Sequence, residues 1–166
     1  MPRGRRGDED RGAGGGDEVE RAKAAMLRLL SVRMRSRWEL RSRLAARRFS
    51  ARALETALND LERVGLVDDV KFARLFLESR VRRRPRSYSV LRSELRSRGI
   101  SEEIAESAIA EQRLEVSEEE LARLALGPRA ARMSEMPPEQ ARARMGRFLA
   151  SKGFSRSTIE ELLREL

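Results

Sequence analysis

The chain has 166 residues, with 36 Lys and Arg against 27 Asp and Glu, so its formal charge is +9. It contains no histidine and no cysteine, which excludes a disulfide frame, thiolate chemistry, Ser–His triads and zinc sites of the usual Cys/His kind. Its apolar residues are mostly Leu, Ala and Val, a composition suited to stacked helices, and it is long enough to bury a core.

In chain order, "MPRGRRGDEDRGAGGG" has the Gly, Arg and Asp content of a disordered tail, expected over residues 1–17. It is no phosphate-binding Gly loop, because no strand precedes it and no Lys-Ser/Thr follows. It also lacks the apolar core of a secretory signal. "RAKAAMLRLLSV" then reads as an amphipathic helix. Ser36 and Glu39 match a capping box that opens a second helix through Leu40 and Leu44. A third is predicted after Ser50, with Leu54, Ala57 and Leu58 on one face. "GLVDD" stops it at Gly65 and offers Asp68 or Asp69 as the next N-cap.

The pattern then recurs. "LAARRFSARALETAL" from Leu44, "LRSRGISEEIAESAI" from Leu95 and "LASKGFSRSTIEELL" from Leu149 share one order of residue types, with Ser50, Ser101 and Ser155 spaced 51 and 54 residues apart. Each serine is placed to cap a helix, and Phe49, Ile100 and Phe154 before it are placed to staple onto Leu54, Ala105 and Ile159. Gly99 and Gly153 suit the left-handed residue that ends the preceding helix. The first copy has Arg48 there, so its helix end is expected to be built differently. "VKFARLFLESRV" and "EEELARLAL", the latter after a Ser117/Glu120 capping box, supply the first helices of the second and third copies. "LGPRAARMSEMPPEQ" reads as a long loop, with Pro137 or Pro138 in the first turn of the next helix. No stretch alternates like a strand. The expected fold is all-α, three tandem three-helix repeats over 18–66, 67–116 and 117–166.

Charge is unevenly placed. Seven arginines against Glu39 fill Arg33–Arg48, eight against Glu94 fill Arg80–Arg98, and the sign reverses to eight glutamates against Arg113 over Ser101–Glu120. A solvated helix surface is usually mixed in sign. Two arginine-dominated stretches therefore point to a polyanion-facing surface, nucleic acid or a protein filament carrying it. The candidate contact residues are Arg80, Arg82, Arg83, Arg84, Arg86, Arg92, Arg96 and Arg98, then Arg41, Arg43, Arg47 and Arg48. Only Asn59, Gln112 and Gln140 are available for reading adenine, and none lies in these stretches, so phosphate contact is expected in place of base reading. Trp38 and Tyr88 are the only plausible candidates for base stacking, and both are better read as half-buried packing residues. Asp68 and Asp69 are better explained as caps than as a metal or acid–base pair, so neither catalytic residues nor a cofactor is expected.

The segment "GLVDDVKFARLFLESRVRRRPRSYSVLRSELRSRGI", Gly65 to Ile100, is similar to the central segment of RecX regulatory proteins. The resemblance rests on the Gly-hydrophobic-x-Asp-Asp turn, Phe72-Ala73, Arg80, and the ending formed by Glu94, Leu95, Gly99 and Ile100. "RSRWELRSRLAARRFS" and "RFLASKGFSRSTIEELL" resemble the family's first and third repeats, and the likeness covers roughly residues 18–166. Arg84 before Pro85, and Arg47-Arg48, stand where many members carry glycine or Lys-Gly. The resemblance implies an elongated, curved repeat array that binds RecA recombinase filaments on DNA and restrains strand exchange, ATPase and coprotease activities. The expected protein is a monomeric cytoplasmic regulator of DNA repair that also meets single- and double-stranded DNA through phosphates. The alternative is a sequence-independent DNA-binding or architectural protein.

Overall fold

The computed structural model describes residues 10–165. It is helical, with α1 (Asp10–Leu30), α2 (Arg37–Ala45), α3 (Ala51–Arg63), α4 (Asp69–Arg83), α5 (Tyr88–Arg96), α6 (Glu102–Glu115), α7 (Glu118–Leu126), α8 (Pro128–Ser134), α9 (Pro138–Ser151) and α10 (Arg156–Glu165). The described residues contain no strand. Compactness divides the chain after Phe72.

In the first unit α1, α2 and α3 pack on one another around Met26, Leu40, Leu44, Leu54 and Leu58, all almost wholly buried. Each such side chain contributes about 1.5–3 kcal/mol by leaving water. The helices begin where the serines specify. Ser36 Oγ accepts from the Glu39 amide at 3.1 Å, and Ser50 Oγ from the Ala53 amide at 3.2 Å. Glu18 on α1 reaches Ser50 as well, accepting from its amide at 2.8 Å and its hydroxyl at 2.7 Å. These bonds, the amide first, hold the Glu18 carboxyl below its ordinary value. Arg35 is buried and donates its Nε–H to the Leu29 carbonyl at 3.3 Å, satisfying an orphan acceptor at the end of α1.

Helix α1 begins at Asp10 and takes in residues 10–17 of the expected tail. A helix already nucleated on a packed face extends through glycine at about 1 kcal/mol per residue. The rest of the expected tail, residues 1–9, lies outside the described residues. The first repeat's helix end is built like the others: Arg48 takes φ +64°, matching Gly99 at +77° and Gly153 at +87°. The chain must reverse there to deliver Phe49 and Ser50 to the next helix, and the fold imposes that turn on a residue with a Cβ. Replacing Arg48 by glycine is therefore expected to stabilise the protein by about 1 kcal/mol, read as a higher urea midpoint.

The Asp-Asp turn is divided between two jobs. Asp68 accepts from the Lys71 amide at 2.9 Å and caps α4. Asp69 instead accepts from the Arg37 amide at 2.8 Å, tying the start of α4 to the start of α2. Burial pushes the Asp69 carboxyl above its ordinary value, with Glu62 adding repulsion, although the Arg37 amide opposes the shift. An acid whose folded pKa is raised favours folding most at low pH, and that advantage fades as pH rises from the unfolded value through the folded one. Asp69→Asn keeps an acceptor without the charge. It is expected to stabilise the protein at neutral pH, with the gain disappearing as denaturation is repeated below the carboxylate range.

The second unit carries α4 from Ala73 onward and all later helices. Helix α5 packs on α6, while α7, α9 and α10 pack mutually around Leu121, Met145, Leu149 and Leu162. Ser101, Ser117 and Ser155 cap α6, α7 and α10 as expected. After Gly99 and Gly153, Ile100 and Phe154 donate back to the Leu95 and Leu149 carbonyls, both at 3.2 Å, closing each helix in a Schellman turn. The stretch expected as a loop contains α8: Pro128 is pre-set for a first helical position, Gly127 supplies φ +46°, and Met133 is buried.

Candidate polyanion interface

The second arginine stretch is split by the way α4 ends. Pro85 cannot continue the helix and biases Arg84 away from helical geometry, so Arg82, Arg83 and Arg84 are left exposed at its C-terminus. There positive charge suits the helix dipole. The others are drawn into the fold. Arg80 meets Glu94 at 2.8 Å and Arg86 meets it at 3.6 Å. Arg92 meets Glu106 at 2.6 Å, and Arg96 meets Glu102 at 2.7 Å. Arg74 meets Glu111 at 2.8 Å. The sign reversal after Ser101 is thus internal complementarity, with the acidic face of α6 answering arginines of α4 and α5. Arg80 and Arg98 also lie over the Phe76 ring, 4.8 and 5.0 Å from its centroid.

The first stretch divides similarly. Arg41 pairs with Glu55 at 3.1 Å, and Arg37 reaches Glu55, Glu62 and Asn59 together. Arg43, Arg47 and Arg48 are exposed and make no ion pair among the described residues.

Arg82, Arg83 and Arg84 also lack an ion pair among the described residues, and they face other cations. They line an open basin of about 890 Å³ with Arg86, Arg129, Arg132 and Lys152. The lining contains no Asp or Glu. Phe148 forms part of the wall, with Arg129 5.0 Å and Lys152 5.3 Å from its ring centroid, so its π-face holds two of the cations in place. Arg129, Arg132 and Lys152 escape sequence reasoning because the first two lie in the stretch read as a loop and the third stands alone at the end of α9. Only the Gly127-Pro128 pair, a start signal for α8, hints at them.

The stacking candidates fare differently. Tyr88 is 1% exposed, its hydroxyl donating to the Val116 carbonyl at 2.8 Å, with the Gln112 carbonyl 3.3 Å away. Burial pushes its phenol up to about 12. It offers no free face to a base, because α6 and the start of α7 close over it. Trp38 remains 49% exposed.

Successive helical units, the second with a basin lined by cations and no carboxylate, define an all-helical repeat protein with a cationic recess. The family description "RecX, first three-helix domain" matches residues 22–61, and "RecX, second three-helix domain" matches residues 68–109. A "Regulatory protein RecX" of Amycolatopsis mediterranei is 36% identical over 153 residues, 90% of this chain and 87% of that protein. One from Prosthecochloris aestuarii is 34% identical, covering 82% of this chain and 87% of its own. In fold, the chain resembles the crystal structure of RecX from Lactobacillus salivarius with a TM-score of 0.77 at 23% identity, over 91% of this chain and 97% of that one. The chain belongs to the RecX family of regulatory proteins. Among its described residues no helix is long and apolar enough to cross a membrane.

Proposed function

We propose that this protein regulates a RecA recombinase by binding its filament on DNA, restraining strand exchange, ATP hydrolysis and coprotease activity without a catalytic step of its own. The observation that carries the reading is the row Arg82, Arg83 and Arg84, exposed and unanswered by any carboxylate, in a fold that pairs most of its neighbouring arginines. A guanidinium that braces nothing inside is available for charge-assisted hydrogen bonds to an acidic protomer surface or to the phosphates the filament encloses. A repeat array suits such contact, since successive units can engage successive protomers. In this reading the protein works as a cytoplasmic monomer in recombination and DNA repair. Sequence-independent DNA binding is the second reading, favoured by the same cationic lining.

The two separate in an ATPase titration with the cognate recombinase. Inhibition well below one molecule per protomer that survives a large excess of single-stranded DNA supports filament regulation. Inhibition that needs near-saturating protein and vanishes with added DNA leaves only competition for DNA.

A further inference from the structure

We infer that the basin between the end of α4, α8 and the end of α9 is a binding site for closely spaced phosphates, supplied by a nucleic-acid strand or by a free nucleoside polyphosphate. Six arginines and Lys152 surround about 890 Å³ of open space with no carboxylate among the lining residues. Of the lining arginines Arg86 alone has a carboxylate partner among the described residues, Glu94 at 3.6 Å, whereas elsewhere in the same unit Glu94, Glu102, Glu106 and Glu111 answer Arg80, Arg96, Arg92 and Arg74. Like charges gathered round a concavity repel one another and focus a positive potential that an anion relieves.

Shape and chemistry narrow the ligand. A recess of this size is within the range of small-molecule sites, roughly 300–1,000 Å³. A phosphate chain can enter it. Guanidinium forks match phosphate oxygens in pairs. They also approach from two directions, Arg82, Arg83 and Arg84 from the end of α4, and Arg129 and Arg132 from α8. Phe148 holds Arg129 and Lys152 over its ring, reducing the ordering those side chains need on binding. The site shares Arg82, Arg83 and Arg84 with the filament reading, but its test is separate, since phosphates would bind here with no recombinase present.

The test uses the full chain and three probes: a labelled twelve-residue oligothymidylate by anisotropy, adenosine triphosphate without magnesium by calorimetry, and polyglutamate as competitor. The expected result is saturable binding of at least one phosphate probe, weakened tenfold or more in Arg83→Ala/Arg132→Ala. Arg142→Ala/Arg147→Ala, which removes two exposed charges of α9 outside the basin, is expected to change it less than twofold. Binding of both phosphate probes in mutual competition assigns the basin to phosphate clusters in general, and binding of the oligonucleotide alone assigns it to a strand. Equal losses in the two double variants, polyglutamate displacement as effective as triphosphate, or no binding of either phosphate probe would overturn the inference. All four substituted arginines are exposed, and unchanged urea midpoints serve to show that the fold is retained.

Discussion

Gly153→Ala is expected to destabilise the protein by about 2–5 kcal/mol, more than the same change at any other described left-handed glycine whose surroundings are open. Two costs add. The residue sits at φ +87°, where a Cβ costs roughly 1–2 kcal/mol. That Cβ would also overlap Val90 Cγ2 and lie 2.8 Å from Ser87 Oγ, an overpacking of about 1–3 kcal/mol. Neither neighbour can yield cheaply. Ser87 is buried, its amide donates to the Lys152 carbonyl at 3.1 Å, and its hydroxyl accepts from the Val90 amide at 3.3 Å as the N-cap of α5. The turn after α9 is therefore locked onto the start of α5. Gly65→Ala is the control: it has φ +73° but nothing within 4 Å of its Cβ position, so about 1–2 kcal/mol is expected. Urea denaturation of the two variants measures the difference, and equal losses would show that the α5 contact is not a constraint.

The second large effect is functional. Arg82→Ala/Arg83→Ala/Arg84→Ala is expected to raise the half-inhibitory concentration against recombinase ATPase tenfold or more, while moving stability by less than about 0.5 kcal/mol. None of the three has an internal ion pair among the described residues. Each charge-assisted hydrogen bond lost to a partner is worth about 1.5–3 kcal/mol before solvent screening, so three lost together exceed a tenfold change even after heavy discounting. Arg92→Ala/Arg96→Ala removes two charges from the same stretch, but those guanidiniums already face Glu106 and Glu102. It should alter inhibition less than about threefold. Similar losses from both variants would mean that total charge matters and pairing does not.

The contrast between these arginines marks how far the sequence could be followed. Helix starts were legible because a serine followed by a face of leucines has a local cause, and Ser36, Ser50, Ser101, Ser117 and Ser155 all cap where expected. Helix ends were legible where glycine marked them and obscured where Arg48 adopts the same left-handed turn under tertiary constraint. Helix α8 was hidden by its own punctuation, since Gly-Pro both stops one helix and starts the next. Arginine density located the Arg80–Arg98 stretch, yet its division depends on Glu102, Glu106 and Glu111 of α6 lying against it. No local pattern carries that pairing. The basin was the least legible feature, because Arg129, Arg132 and Lys152 reach it from separate segments.

The proposal that the protein acts on a recombinase filament is tested most directly by its equilibrium binding to one single-stranded oligonucleotide, bare or fully coated by the cognate RecA with a slowly hydrolysed nucleotide, across a salt series. Tighter binding to the coated strand at every salt concentration, weakened by the Arg82/Arg83/Arg84 variant, is the predicted result. Binding to the coated strand no tighter than to the bare one would contradict it, leaving a cationic helical protein whose partner is nucleic acid alone.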